Sequence, residues 1–129
     1  MAWTEMIDKA KGKMEGLEDL AQAKVKDWLI EYKKAVTVLE TFGFTVGGFT
    51  VGMGAFPEIH TSLVGSIEKI REDRLRSMIE EHKTEQLLVA LLNTLIWARW
   101  GWEQMESKLT AVTLHVTLGV PPKVSAEIH

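Results

Sequence analysis

Residues 49–63, FTVGMGAFPEIHTSL, have an echo at residues 114–128, LHVTLGVPPKVSAEI. Sliding one onto the other aligns Phe49 with Leu114, Val51 with Val116 and Met53 with Leu118. It also aligns Gly54 with Gly119, Pro57 with Pro122, Ile59 with Val124 and Leu63 with Ile128. In the first stretch Phe49, Val51, Met53, Ile59 and Leu63 alternate with Thr50, Gly52, Glu58, His60 and Ser62. In the second, Leu114, Val116, Leu118, Val124, Ala126 and Ile128 alternate with His115, Thr117, Lys123, Ser125 and Glu127. Period-two alternation with one apolar face is the pattern of a half-buried strand. Gly54 to Pro57 and Gly119 to Pro122 read as turns, glycine supplying positive φ and proline fixing φ at the next strand. Each stretch therefore predicts a β-hairpin. Two hairpins combined give a four-stranded antiparallel sheet with one face covered by helices, because a lone hairpin is marginal in water.

Upstream of the first hairpin, the apolar phase shifts across Gly47-Gly48. That pair reads as a two-residue turn or as a bulge inside one strand. The aligned Val112 and Thr113 are strand formers, which favours the bulge.

Between the hairpins and before them the period is helical. From Trp3 to about Phe42, the positions Trp3, Ile7, Ala10, Met14, Leu17, Ala21, Val25, Trp28, Tyr32, Ala35 and Leu39 step by three or four. They form one apolar stripe, with a break expected near Gly16 and Gly43 placed as a left-handed cap. An unbroken helix of that length is roughly 60 Å long, so it breaks or its first half packs on another chain. Residues 67–82 predict a helix with a thin stripe of Ile67, Ile70, Leu75, Met78 and Ile79, capped by Ser66. A break at His82 to Thr84 leads to a helix from Glu85 to about Glu106, capped by Thr84. Its segment LLVALLNTLIWARWGW, residues 87–102, is apolar nearly all round and is expected to be buried on all sides. The fold class is α+β, in the order α-ββ-α-α-ββ, with a helix–hairpin pseudo-repeat whose halves are about 1–65 and 66–129 of a single domain. A helical bundle is the alternative.

Composition narrows the function more than it identifies one. A chain of 129 residues with 46% hydrophobic and 26% charged residues is expected to be an ordinary globular domain. A net charge of −3 gives no reason to expect nucleic acid. The absence of cysteine excludes disulfides and thiolate chemistry. The start MAWTEMIDKAKGKMEG lacks the apolar run of a signal peptide, so a cytoplasmic location is expected. Residues 87–102 span roughly 24 Å, too short for a ~30 Å hydrocarbon core. No transmembrane segment is expected.

Chemistry is sparse. No GxSxG, HExxH or Walker loop is present. GGFTVGMG at 47–54 precedes a turn and a strand, not a helix, so its glycines read as bulge and turn residues. His60 and His115 fall on the outward sheet face and read as surface residues; no catalytic residue, metal or cofactor is expected. The tryptophans stand out. Trp97 and Trp100 share a helix face, while Trp102 points elsewhere. Such rings serve as core, as protein interface, or against lipid or a small ligand. The expectation is a non-enzymatic homo-oligomer, a dimer or higher, whose interface draws on the first helix and on Leu88, Leu92, Ile96, Trp97, Trp100 and Trp28. The alternative is a module holding an apolar small molecule or touching a lipid surface through the same residues.

Overall fold

The computed structural model describes residues 19–54 and 56–129. The expected first half of the N-terminal helix, with Trp3, Ile7, Ala10, Met14, Leu17 and the break near Gly16, lies outside the described residues. So does the side chain of Ala21. The elements follow the order α1 (Asp19–Glu40), β1 (Thr45–Met53), β2 (Pro57–Ser66), α2 (Glu72–Glu81), α3 (Gln86–Gln104), β3 (Ala111–Leu118) and β4 (Lys123–Ile128). The strands form one antiparallel sheet in the order β1-β2-β3-β4. The α-ββ-α-α-ββ order read from the sequence is the observed one.

The stripe on α1 that reaches the core is Val25, Leu29, Tyr32, Ala35, Val36 and Leu39. It is centred slightly differently from the expected one: Leu29 and Val36 join it and Trp28 moves to its half-buried margin. Gly43 ends the helix at φ +88°. The amide of Phe44 bonds the carbonyl of Leu39 at 3.2 Å and that of Gly43 bonds Glu40 at 3.0 Å. This is the Schellman arrangement, closed by the buried pair Leu39 and Phe44.

The shift in β1 is a bulge. Val46 pairs with Leu63 and Gly48 with Ser62, leaving Gly47 as the extra residue. Gly48 takes φ +154°, open to glycine and rarely to other residues. Beyond the bulge Phe49 and Val51 return to the helix-covered face, opposite Thr61 and Ile59. The seam between hairpins pairs Ile59 with Leu118 and Ser66 with Ala111. Val51 and Val116 thus lie on the same face, as do Phe49, Ile59, Leu63, Leu114, Leu118, Val124 and Ile128. Central-strand residues Ile59, Leu63, Val112, Leu114, Val116 and Leu118 are fully buried, and the edge residues Phe49, Val124 and Ile128 are partly so. A polar link crosses this core. The Tyr32 hydroxyl lies 3.0 Å from Thr61 Oγ1, and Thr61 donates to the Gly48 carbonyl at 3.0 Å. The helix is thereby tied to the bulge.

Both expected caps on the central helices need correction. Ser66 is the last residue of β2, and the amide of Ile67 still bonds Thr110 across the seam at 2.8 Å. A 3-10 turn at Ile67–Lys69 follows, and Ile70 and Arg71 are extended before α2 begins. With three residues per turn, Ile67 and Ile70 share a side and both are buried. Thr84 caps nothing. The residue before α3 is Glu85, and the helix start is satisfied from outside: the Leu87 amide donates to Glu31 Oε1 of α1 at 2.9 Å.

Within the single chain, α3 is covered on one side and not on all sides. Leu87, Leu88, Leu91, Leu92 and Leu95 face the core. Ala90, Asn93, Trp97 and Trp100 lie on the opposite side and are exposed. The sheet and α2 cover one side of this helix, and no described element covers the other. No described helix is long and apolar enough to cross a membrane.

Candidate functional site

The residues singled out from the sequence separate into three places. Leu88 and Leu92 are core residues of the chain itself, 1% and 0% exposed. Ile96 is half-buried at the core margin. Trp97 and Trp100 form the exposed patch, 69% and 54% accessible. Their ring centroids are 5.9 Å apart and the planes meet at 81°, the edge-to-face geometry favoured by the ring quadrupoles. The helical spacing of three explains the contact, since residues three apart share a face. Trp102, two positions on, turns to the other side. Its Nε1–H donates to the Leu109 carbonyl at 2.7 Å and pins the connection from α3 to β3.

Beside the patch, Arg99 donates from Nε to Glu103 at 3.2 Å. Its Nη1 is enclosed with no hydrogen-bond partner among the described residues. The exposed apolar side chains Met105 and Leu109 follow the patch in the chain.

Trp28 lies apart from these rings. It lines an open groove of about 400 Å³ with Lys24, Asp27, Glu31, Gln86, Val120, Pro121 and Pro122. The groove sits at the start of α3, about three helical turns or roughly 16 Å along the axis from Trp97. Neither the groove nor its wall in the β3–β4 turn was legible from the α1 stripe alone. Only the fold brings Val120 to Pro122 against α1.

The outer sheet face carries His60 and His115, as the alternation indicated, and His129 beside them. Each has its own neighbours. His60 Nε2 lies 3.2 Å from Glu58 Oε2, and its Nδ1 lies 3.0 Å from Thr117 Oγ1. His115 pairs with Glu127 at 2.9 Å, and His129 with Thr113 at 2.7 Å. Among the described residues, no three His, Asp or Glu side chains converge as ligands of one metal ion would. The sequence placed Glu58 and His60 on one face. The link to Thr117 required the strand register, which sets His60 opposite Thr117.

Among the described residues, the titratable group held far from its ordinary behaviour is in the core. Burial pushes the Tyr32 hydroxyl from 10.0 up to about 12, against a smaller downward pull from its hydrogen bond with Thr61. It serves the core.

No protein-family model, curated protein or solved structure matches the chain at a significant level.

Proposed function

We propose that this protein is a cytoplasmic, non-enzymatic homo-oligomer that acts by presenting an assembled surface. Its contact patch is the Trp97–Trp100 face of α3 together with the first helix. The observation that supports this reading is the exposure of two edge-to-face tryptophans, 69% and 54%, on the back of a helix whose front fills the core. Tryptophan is the side chain most enriched at interface hot spots, and large apolar side chains clustered on a surface mark contact sites. A two-fold pairing would bring this face against its own copy, the commonest arrangement of soluble oligomers.

The test is sedimentation of the wild type and Trp100→Glu at micromolar concentration. The wild type is expected as a dimer or higher oligomer. Because Trp100 is already half exposed, the variant should keep its helical and strand content and run as a monomer. A hot-spot tryptophan contributes about 2 kcal/mol or more, so association should weaken at least about thirtyfold. A wild type that stays monomeric at high micromolar concentration removes the reading.

A second reading, an apolar small-molecule or lipid-binding module, is favoured by the 400 Å³ groove walled by Trp28, Val120, Pro121 and Pro122. Native mass spectrometry of freshly purified protein tests it. A bound apolar species lost in Trp28→Ser supports it, and bare protein in both speaks against it.

A further inference from the structure

We propose that the outer sheet face carries a binding site for a small organic ammonium ion with an apolar substituent, in the groove over Gly52. This groove of about 380 Å³ is lined by Gly52, Met53, Gly54, Phe56, Glu58, His60 and Val120. It differs from the Trp28 groove, with Val120 standing between them.

The room comes from missing side chains. Glu58 lies opposite Gly52 in the β1–β2 register. On its other side is Gly119, where an added Cβ would come within 3.2 Å of the Glu58 Cγ. Glycines thus flank this carboxylate on both sides, Gly52 within β1 and Gly119 just beyond β3. Around it stand three exposed apolar side chains: Met53 at 51%, Phe56 at 47% and Val120 at 42%. They come from both hairpin turns, so the groove exists only because the two hairpins are adjacent.

Charge selects the occupant. The ion-pairing neighbour of Glu58 is His60, through Oε2. An ionised carboxylate only accepts, so His60 Nε2–H donates there, while Thr117 engages Nδ1 and holds the ring. Among the described residues, no lysine or arginine lines the groove. The carboxylate repels phosphate and carboxylate ligands and attracts a cation. One carboxylate and one committed imidazole are too few for a metal ion. An ammonium can bond the carboxylate while an aromatic ring such as Phe56 receives its charge and Met53 and Val120 its apolar body. Lys123, opposite Thr117 one strand further on, does not line the groove.

The test follows backbone amide NMR shifts of the full chain with three probes of similar shape: phenethylammonium, its neutral N-acetyl derivative and 3-phenylpropionate. The expected result is saturable shifts at Gly52, Gly54, Glu58 and His60 with phenethylammonium. Binding should be at least about tenfold weaker with the neutral probe and in Glu58→Gln, since charge-assisted bonds exceed neutral ones by such a factor. The His115–Glu127 pair is an internal control, having the same chemistry on the same face but no place in the groove. Equal affinity for all three probes, equal response at Glu127, or no saturation overturns the proposal. The comparison among probes decides the matter in the wild type even if Glu58→Gln is poorly folded.

Discussion

Tyr32 gives the sharpest physical prediction. It is the only tyrosine in the chain and is fully buried. Thr61 gives its own proton to the Gly48 carbonyl, so the Tyr32 hydroxyl is the donor in their 3.0 Å contact. Removing that proton would leave a phenolate in an apolar core, where burial penalises the charge more than the hydrogen bond with Thr61 favours it. Hence the rise from 10.0 to about 12. Below pH 10 both native and unfolded states hold the proton, and the residue contributes no slope. Between 10 and about 12 the unfolded chain has lost a proton that the native state keeps, so stability falls as pH rises. Roughly two pH units at about 1.4 kcal/mol each amount to about 3 kcal/mol, a large part of a small domain's stability. Above about 12 the slope ends. The assay is denaturant unfolding at stepped pH for the wild type and Tyr32→Phe, with tyrosinate absorbance followed in parallel. At neutral pH the variant should lose only about 1 kcal/mol, because Thr61 keeps its bond to Gly48. Across the alkaline range the wild type should lose about 3 kcal/mol more than the variant, lysine effects cancelling between them. Parallel stability curves, or a native tyrosine ionising near 10, would falsify the reasoning.

Other substitutions probe single contacts. Gly65→Ala places a Cβ within 2.8 Å of the Phe44 ring, and overpacking of this kind should lower the stability measured by urea unfolding by about 1–3 kcal/mol. Replacing Gly43, at φ +88°, by alanine should cost about 1 kcal/mol in the same assay, with no change in secondary-structure content. Glu31→Ala removes the acceptor for the Leu87 amide; a loss of about 1 kcal/mol is expected, with faster amide exchange at Leu87, and unchanged exchange there would show that the cap contributes nothing.

The strands were the most legible part of this chain. Alternation of single residues assigns faces, and the glycine–proline turns fix where each hairpin bends. The phase change at Gly47 and Gly48 allowed a turn or a bulge, and the strand-forming Val112 and Thr113 aligned with them pointed to the bulge that is observed. Helix ends were read less well. Ser66 and Thr84 have the right chemistry for caps, yet β2 continues through Ser66 and a distant carboxylate, Glu31, does the work expected of Thr84. Competition of that kind depends on tertiary contacts that local sequence does not contain. Which side of α3 its own chain covers was not legible, for a related reason. Its mean apolarity was correct, but Trp97 and Trp100 lie on the side away from the sheet, so apolar content alone did not predict burial. Among the candidate site residues, the shared face of Trp97 and Trp100 followed from helical spacing. The places of Trp28, Leu88 and Leu92 depended on how α1 and α3 cross the sheet.

The seam between β2 and β3 has a consequence for how the molecule forms. Each hairpin pairs residues close in sequence, so each closes a short loop. Ser66 and Ala111 are neighbours across the seam, yet all of α2 and α3 lies between them in the chain. Closing that long loop costs chain entropy before the pairing returns anything. The β2–β3 pairing therefore closes the longest loop of the sheet and carries its largest cost in chain entropy, although it joins the sheet's best-buried strands.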